Sequence, residues 1–194
     1  MKTTFALFLG ILTAIVPGFS QEVSPADGAT LMFGSVAAKT PKNVMDAIYE
    51  LSGLELASNQ TQFQFKDDEL TAEFPFSVQV YPLDLNHDGV AEYCIVYGNS
   101  AFSGAAGSSF WVFTRKPDQT FKMNFGFPGI FASIPNPDGE YDDVVIAGPG
   151  FEFPLWSWNG EAYEFERNIT ESEMEASNAK YAEELSNAYL KELK

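Results

Sequence analysis

Hydrophobic positions along most of the chain recur with the two-residue period of strands. Phe74, Phe76, Val78 and Val80 alternate with Pro75, Ser77 and Gln79, and Tyr93-Cys94-Ile95-Val96-Tyr97 is a compact apolar run, so strands are expected on both sides of the polar stretch 84–92. Phe110–Thr114 and Phe121–Phe127 read as a hairpin turning across Lys116-Pro117-Asp118-Gln119. In its second strand Phe121, Met123, Phe125 and Phe127 alternate with Lys122, Asn124 and Gly126, which predicts one buried face. A later hairpin, Leu155–Trp158 with Tyr163–Arg167, is expected around Asn159-Gly160, a pair suited to a type I′ turn. Ahead of both hairpins, directly after Tyr97, Gly98 to Ser109 is rich in small residues and reads as a mobile surface loop.

Helical spacing is confined to the two ends of this β-rich body. Thr40-Pro41 predicts a short helix with Thr40 as N-cap, Val44, Ile48 and Leu51 on one face and Gly53 as its stop. Thr170-Glu171-Ser172-Glu173 is a capping box that opens a long C-terminal helix to about residue 193, with Met174, Tyr181, Leu185 and Tyr189 as its apolar stripe. Residues 21–39 show little periodicity and are expected to be a flexible lead-in. A weak strand is expected over 62–66, followed by a solvated acidic turn at Asp67-Asp68-Glu69.

The stretch Asn136-Pro137-Asp138-Gly139-Glu140-Tyr141-Asp142 repeats the outline of Asn86-His87-Asp88-Gly89-Val90-Ala91-Glu92 at a constant offset, and each is followed by a hydrophobic strand and a Trp-bearing strand. Duplication of one supersecondary unit leaves that trace. The units would span about 74–114 and 121–167. Two units cannot close a propeller ring, which needs at least four blades. The expected fold is therefore mainly β (α+β): an antiparallel sheet or sandwich of two degenerate blade-like repeats, flanked by a short N-terminal and a long C-terminal helix, in one domain over 40–194.

The polar stretch carries the chemistry. Calcium takes six to eight oxygens at roughly 2.3–2.6 Å, and a short loop supplies them when donors recur at every second residue. Asp84, Asn86 and Asp88 do so, Gly89 supplies the sharp bend, Val90 offers its carbonyl and Glu92 a further carboxylate. An EF-hand would place a bidentate Glu at the twelfth loop position, where this chain has Ile95, and strands rather than helices flank the loop. The pattern resembles the calcium loops of FG-GAP and VCBS-type repeats, the β-blade modules of the integrin alpha-chain class. That resemblance implies calcium bound through Asp84, Asn86, Asp88, Val90 and Glu92. The second copy has Ile134 in place of Asp84, so its Asn136, Asp138 and Asp142 are expected to form a structural turn with weak or no metal binding.

Composition narrows the function. Met1–Ser20 has Lys2, an apolar core from Phe5 to Val16 and a break at Pro17-Gly18, the outline of a secretory leader cleaved near Ser20, and the protein is expected to be secreted or periplasmic. Formal charge is −16 and loss of Lys2 deepens it, which disfavours nucleic acid and anionic membranes and suits divalent cations or a basic protein. The single cysteine, Cys94, sits in an apolar strand, and the single histidine, His87, lies inside the loop with its side chain expected to point away from the ion. Triads that need histidine and Cys–His catalysis therefore lack their parts, and no enzyme is expected. The expectation is a calcium-binding, calcium-stabilised, non-catalytic binding module. The alternatives are an acidic envelope inhibitor or ligand-capturing protein for a basic partner, or a carbohydrate-binding module using Trp156 and Trp158, which share one strand face.

Overall fold

A computed structural model describes residues 27–193. The expected leader, residues 21–26 of the lead-in and Lys194 lie outside the described residues. The chain is an α+β protein, mainly β, whose sheets are all antiparallel.

Two four-stranded meanders face each other. The first runs β3 (Val78–Leu83), β4 (Glu92–Tyr97), β5 (Ser109–Arg115) and β6 (Phe121–Pro128) in that spatial order. In the second, β7 (Ile130–Ile134), β8 (Asp143–Ala147), β9 (Glu152–Trp158) and β10 (Tyr163–Thr170) are likewise neighbours in chain order, with a short β11 (Lys180–Tyr181) added beside β7. The β5–β6 hairpin thus closes the first sheet, where the sequence divided it between units. A separate small hairpin pairs β1 (Leu54–Leu56) with β2 (Phe63–Phe65).

Both faces of the first sheet are covered. Tyr93, Ile95, Trp111 and Phe113 pack outward against Met32, Phe33, Met45 and Ile48 of the N-terminal helices. Leu83, Cys94, Phe110 and Val112 pack inward against Phe131, Val144 and Tyr163 of the second sheet. A strand buried on both faces has no polar alternation, which is why 93–97 reads as a continuous apolar run. On the far side of the second sheet, Val145, Phe153, Leu155 and Ile169 pack with Met174.

Several local expectations change. Residues 28–39 are not a loose lead-in: α1 (Gly28–Phe33), N-capped by Asp27, and a 3-10 turn bury Ala29, Met32, Phe33 and Val36. The next helix, α2 (Lys42–Ser52), is capped by Pro41, whose carbonyl accepts from Val44 and Met45, while the Thr40 hydroxyl is buried and donates to Val36. Its buried face is Val44, Met45, Ile48 and Ser52, with Leu51 46% exposed; Gly53 stops it in the left-handed region as expected. The acidic turn is the start of α3 (Glu69–Glu73), with Asp68 accepting from the Thr71 amide at 2.7 Å. Phe74 ends that helix, so the strand expected from Phe74 begins only at Val78.

In β6 a bulge breaks the alternation. The register slips between Val112 and Phe113, leaving Asn124 as the extra residue, so Phe121 packs into the outer core and Phe125 into the inner one, while Met123 and Phe127 are exposed. A bulge inserts one residue and exchanges the faces beyond it. The Asn159-Gly160 turn spans four residues instead of two, because the Asn159 side chain accepts from the amides of both Glu161 and Ala162.

The long C-terminal helix is broken. The capping box forms, Thr170 and Glu173 exchanging hydrogen bonds, but α4 (Glu171–Ala176) ends at Ser177, Asn178 turns with φ 58°, and the chain crosses as β11 before α5 (Ala182–Glu192). The stripe residues explain the break: Met174 packs on the outer face of the second sheet, whereas Leu185 joins the inter-sheet core. One straight rod cannot reach both sides. No described helix is long and apolar enough to cross a membrane.

Candidate metal centre

The loop between β3 and β4 is organised by Leu85. Its side chain is fully buried in the inter-sheet core, which turns its neighbours Asp84 and Asn86 away from that core. Its amide donates to Glu92 Oε2 at 3.0 Å and its carbonyl accepts from the Asp142 amide at 2.8 Å. One residue therefore ties the start of the loop to its end and to the second sheet.

The loop's oxygens curl around backbone amides. Asp84 Oδ1 and Asn86 Oδ1 both accept from the Asp88 amide, at 3.1 and 3.3 Å, and Asp84 Oδ2 accepts from Gly89 at 3.1 Å. Asp88 Oδ1 accepts from Val90 at 2.7 Å, and its Oδ2 from the Asn86 side-chain amide at 3.0 Å. Gly89, at φ 80°, takes the bend that β-carbons disfavour, and His87 also lies in the left-handed region.

Glu92 is the buried member of the set, 1% exposed. Its carboxyl is pushed up from the ordinary 4.5 to about 8, chiefly by burial, with the charges of Asp88 and Asp84 adding to the rise and the Leu85 amide opposing it. The structure thus brings Asp84, Asn86 and Asp88 into one hydrogen-bonded loop with Glu92 within electrostatic reach. Val90 joins through its amide.

As a donor set these are hard oxygens, and an ionised carboxylate that accepts one or two amides keeps further lone pairs, so the chemistry fits calcium. The arrangement is not a gathered cage: among the described residues no three His, Cys, Asp or Glu side chains are close enough together to hold a metal ion.

The chain matches no protein-family model, no curated protein and no solved structure.

The loop between β7 and β8 repeats the plan in altered form. Asp142, buried like Glu92, accepts from the Asn136 amide at 3.1 Å, because Pro135 has no N–H to offer where Leu85 has one. Asn136 also donates to Asp143, and Gly139 has an ordinary backbone with no room for a β-carbon beside the Asn136 amide, unlike the open Gly89. The repeat gave no warning that the two loops touch. His87 Nε2 lies 3.0 Å from Asp142 Oδ1, so the histidine does point out of its own loop, and into the other one.

Trp156 and Trp158 share a face, as their spacing requires, and that face lines the inter-sheet core. Trp156 packs on Phe125 and Phe127 at 4.9 and 5.0 Å, and Trp158 on Tyr141 at 4.5 Å. Both are half-buried; Phe153 is buried on the opposite face, and Phe151 alone is fully presented, at 93% exposure. Cys94 is fully buried, and desolvation drives its thiol far above the ordinary range, away from the reactive thiolate.

Proposed function

We propose that this chain is an exported, calcium-stabilised, non-catalytic binding module in which the 84–92 loop takes a calcium ion through Asp84, Asn86, Asp88, the Val90 carbonyl and Glu92. The observation that carries the reading is Glu92: a buried carboxyl set beside the charges of Asp84 and Asp88, in a loop whose remaining oxygens turn inward on its own amides. Like charges at such a site disfavour ionisation unless a cation offsets them. Calcium there would draw the carboxylates together and tighten the junction of β3, β4 and, through Leu85 and Asp142, the second sheet.

His87 is engaged with Asp142 and Cys94 is sealed in the core, which supports a binding task over catalysis. The test is thermal melting of metal-free protein with added calcium. With an affinity of about 10⁻⁴–10⁻³ M, as in extracellular modules, tenfold excess over the dissociation constant adds about 1.4 kcal/mol. Asp88→Ala is expected to abolish that gain; equal calcium shifts in both proteins refute the site.

A further inference from the structure

The two sheets are unequally roofed. The outer face of the first lies under α1 and α2, whereas that of the second is covered, among the described residues, by the six-residue α4 and the turn after it. Beside α4 this face opens as a groove of about 500 Å³. Ala147 and Phe153 line it from the sheet, Met174 from α4 and Ala106 from the loop between β4 and β5, while Ile130 and Tyr181 stand in it 43% and 44% exposed. Phe151, 93% exposed, lies in the chain between Pro149 and Phe153, which both line the groove, so a fully presented ring sits at its edge. Large apolar side chains left in water around one concavity mark a surface that a partner covers.

Charge decides what the partner is. Glu171 and Glu175, four residues apart and so on one face of α4, also line the groove, and neither carboxylate is paired with a cation among the described residues. No lysine or arginine lines it, in contrast to the cleft beside the metal loop, where Arg115, Lys116 and Lys122 face the carboxylates. A neutral apolar occupant would strip water from two unpaired charges, which costs free energy, and an occupant that brings cations offsets both. A second copy of the chain brings formal charge −16 against −16, and an anionic lipid surface meets the same repulsion.

We propose that this groove docks a cationic amphipathic segment of a protein partner, its aliphatic side chains seated among Ile130, Phe151, Phe153 and Met174 and its lysines or arginines reaching Glu171 and Glu175. The apolar anchors supply affinity, and the two carboxylates select for cations and speed the encounter. Long lysine and arginine stems lie along the apolar walls while their charged ends meet the rim. The proposal rests on the chain being a binding module and gives the chemistry of its partner. The groove shares no residue with the 84–92 loop, so its failure and the failure of the calcium site are read separately.

The test titrates the full chain with a short labelled peptide of leucine and lysine, following fluorescence anisotropy and heat. A leucine–glutamate peptide and a serine–lysine peptide of the same length serve as comparators. The leucine–lysine peptide is expected to bind about tenfold or more tighter than either, about 1.4 kcal/mol. That preference is expected to fall about tenfold in Glu171→Gln/Glu175→Gln and severalfold in Phe151→Ser, with melting temperatures unchanged because all three positions are exposed. Glu69→Gln/Glu73→Gln, the same charge change at the same spacing on the exposed face of α3, is expected to bind as the parent does. The proposal is overturned if the leucine–lysine peptide gives no saturable response, if either comparator binds equally well, or if the α3 variant loses as much as the α4 variant. It is also overturned if Phe151→Ser changes the sedimentation of the chain alone, which would make a second copy the occupant. Calcium melting run alongside separates the readings: a calcium response without peptide binding overturns the groove and spares the ion site.

Discussion

Replacing Glu92 by Gln isolates the electrostatic cost built into the loop. The folded protein holds this carboxyl at about 8 against an ordinary 4.5, so folding favours the protonated form. A group raised in this way contributes stability that is fully present below pH 4.5 and is lost as pH climbs through 8. That window, at about 1.4 kcal/mol per pH unit, caps the loss at about 5 kcal/mol. Gln is neutral throughout and keeps an oxygen for the Leu85 amide, so the variant escapes the loss without orphaning that donor. The assay is urea unfolding in the presence of a chelator at pH 4.5 and pH 8, comparing the variant with the parent. Glu92→Gln is expected to be the more stable protein at pH 8 by several kcal/mol and no better at pH 4.5. With calcium at pH 8 the advantage is expected to shrink, because the ion stabilises the parent carboxylate and has less to hold in the variant. Identical pH dependence in the two proteins, or a variant less stable at pH 8, refutes the reasoning.

Asp142→Ala removes a buried carboxylate that accepts from the Asn136 amide and contacts His87, and is expected to cost about 1–3 kcal/mol in chemical denaturation; a shift near zero would mean the loop-to-loop link is idle. Phe110→Ala, emptying a fully buried position between the sheets, is expected to cost about 3–5 kcal/mol. Phe151→Ser, at an exposed position, is expected to stay within about 0.5 kcal/mol of the parent, and a large loss there would show that Phe151 is covered in solution.

The β-rich class and the duplicated outline were legible because two-residue periodicity and turn residues act locally. Gly53 and the Thr170–Glu173 capping box were readable for the same reason. What escaped depends on contacts distant in the chain. The C-terminal stripe looked helical throughout, and only the position of the second sheet decides that Met174 and Leu185 belong to different cores. Phe121 to Phe127 alternate faultlessly in sequence, yet a one-residue bulge at Asn124 sends Phe121 and Phe125 to opposite faces. At the candidate site, the alternating oxygens of 84–88 were plain. The part played by Leu85 and the docking of Asp142 against it arise from packing between the sheets, and no local pattern encodes them.

Calorimetric titration of the metal-free chain with calcium, run at pH 7 in two buffers of different ionisation heat, tests the central claim most directly. The account predicts one saturable site per chain, absent in Asp88→Ala, with protons released on binding, since Glu92 is held near pH 8 without the ion and must ionise to bind it. Heats indistinguishable from dilution, or binding that survives Asp88→Ala without proton release, would contradict it.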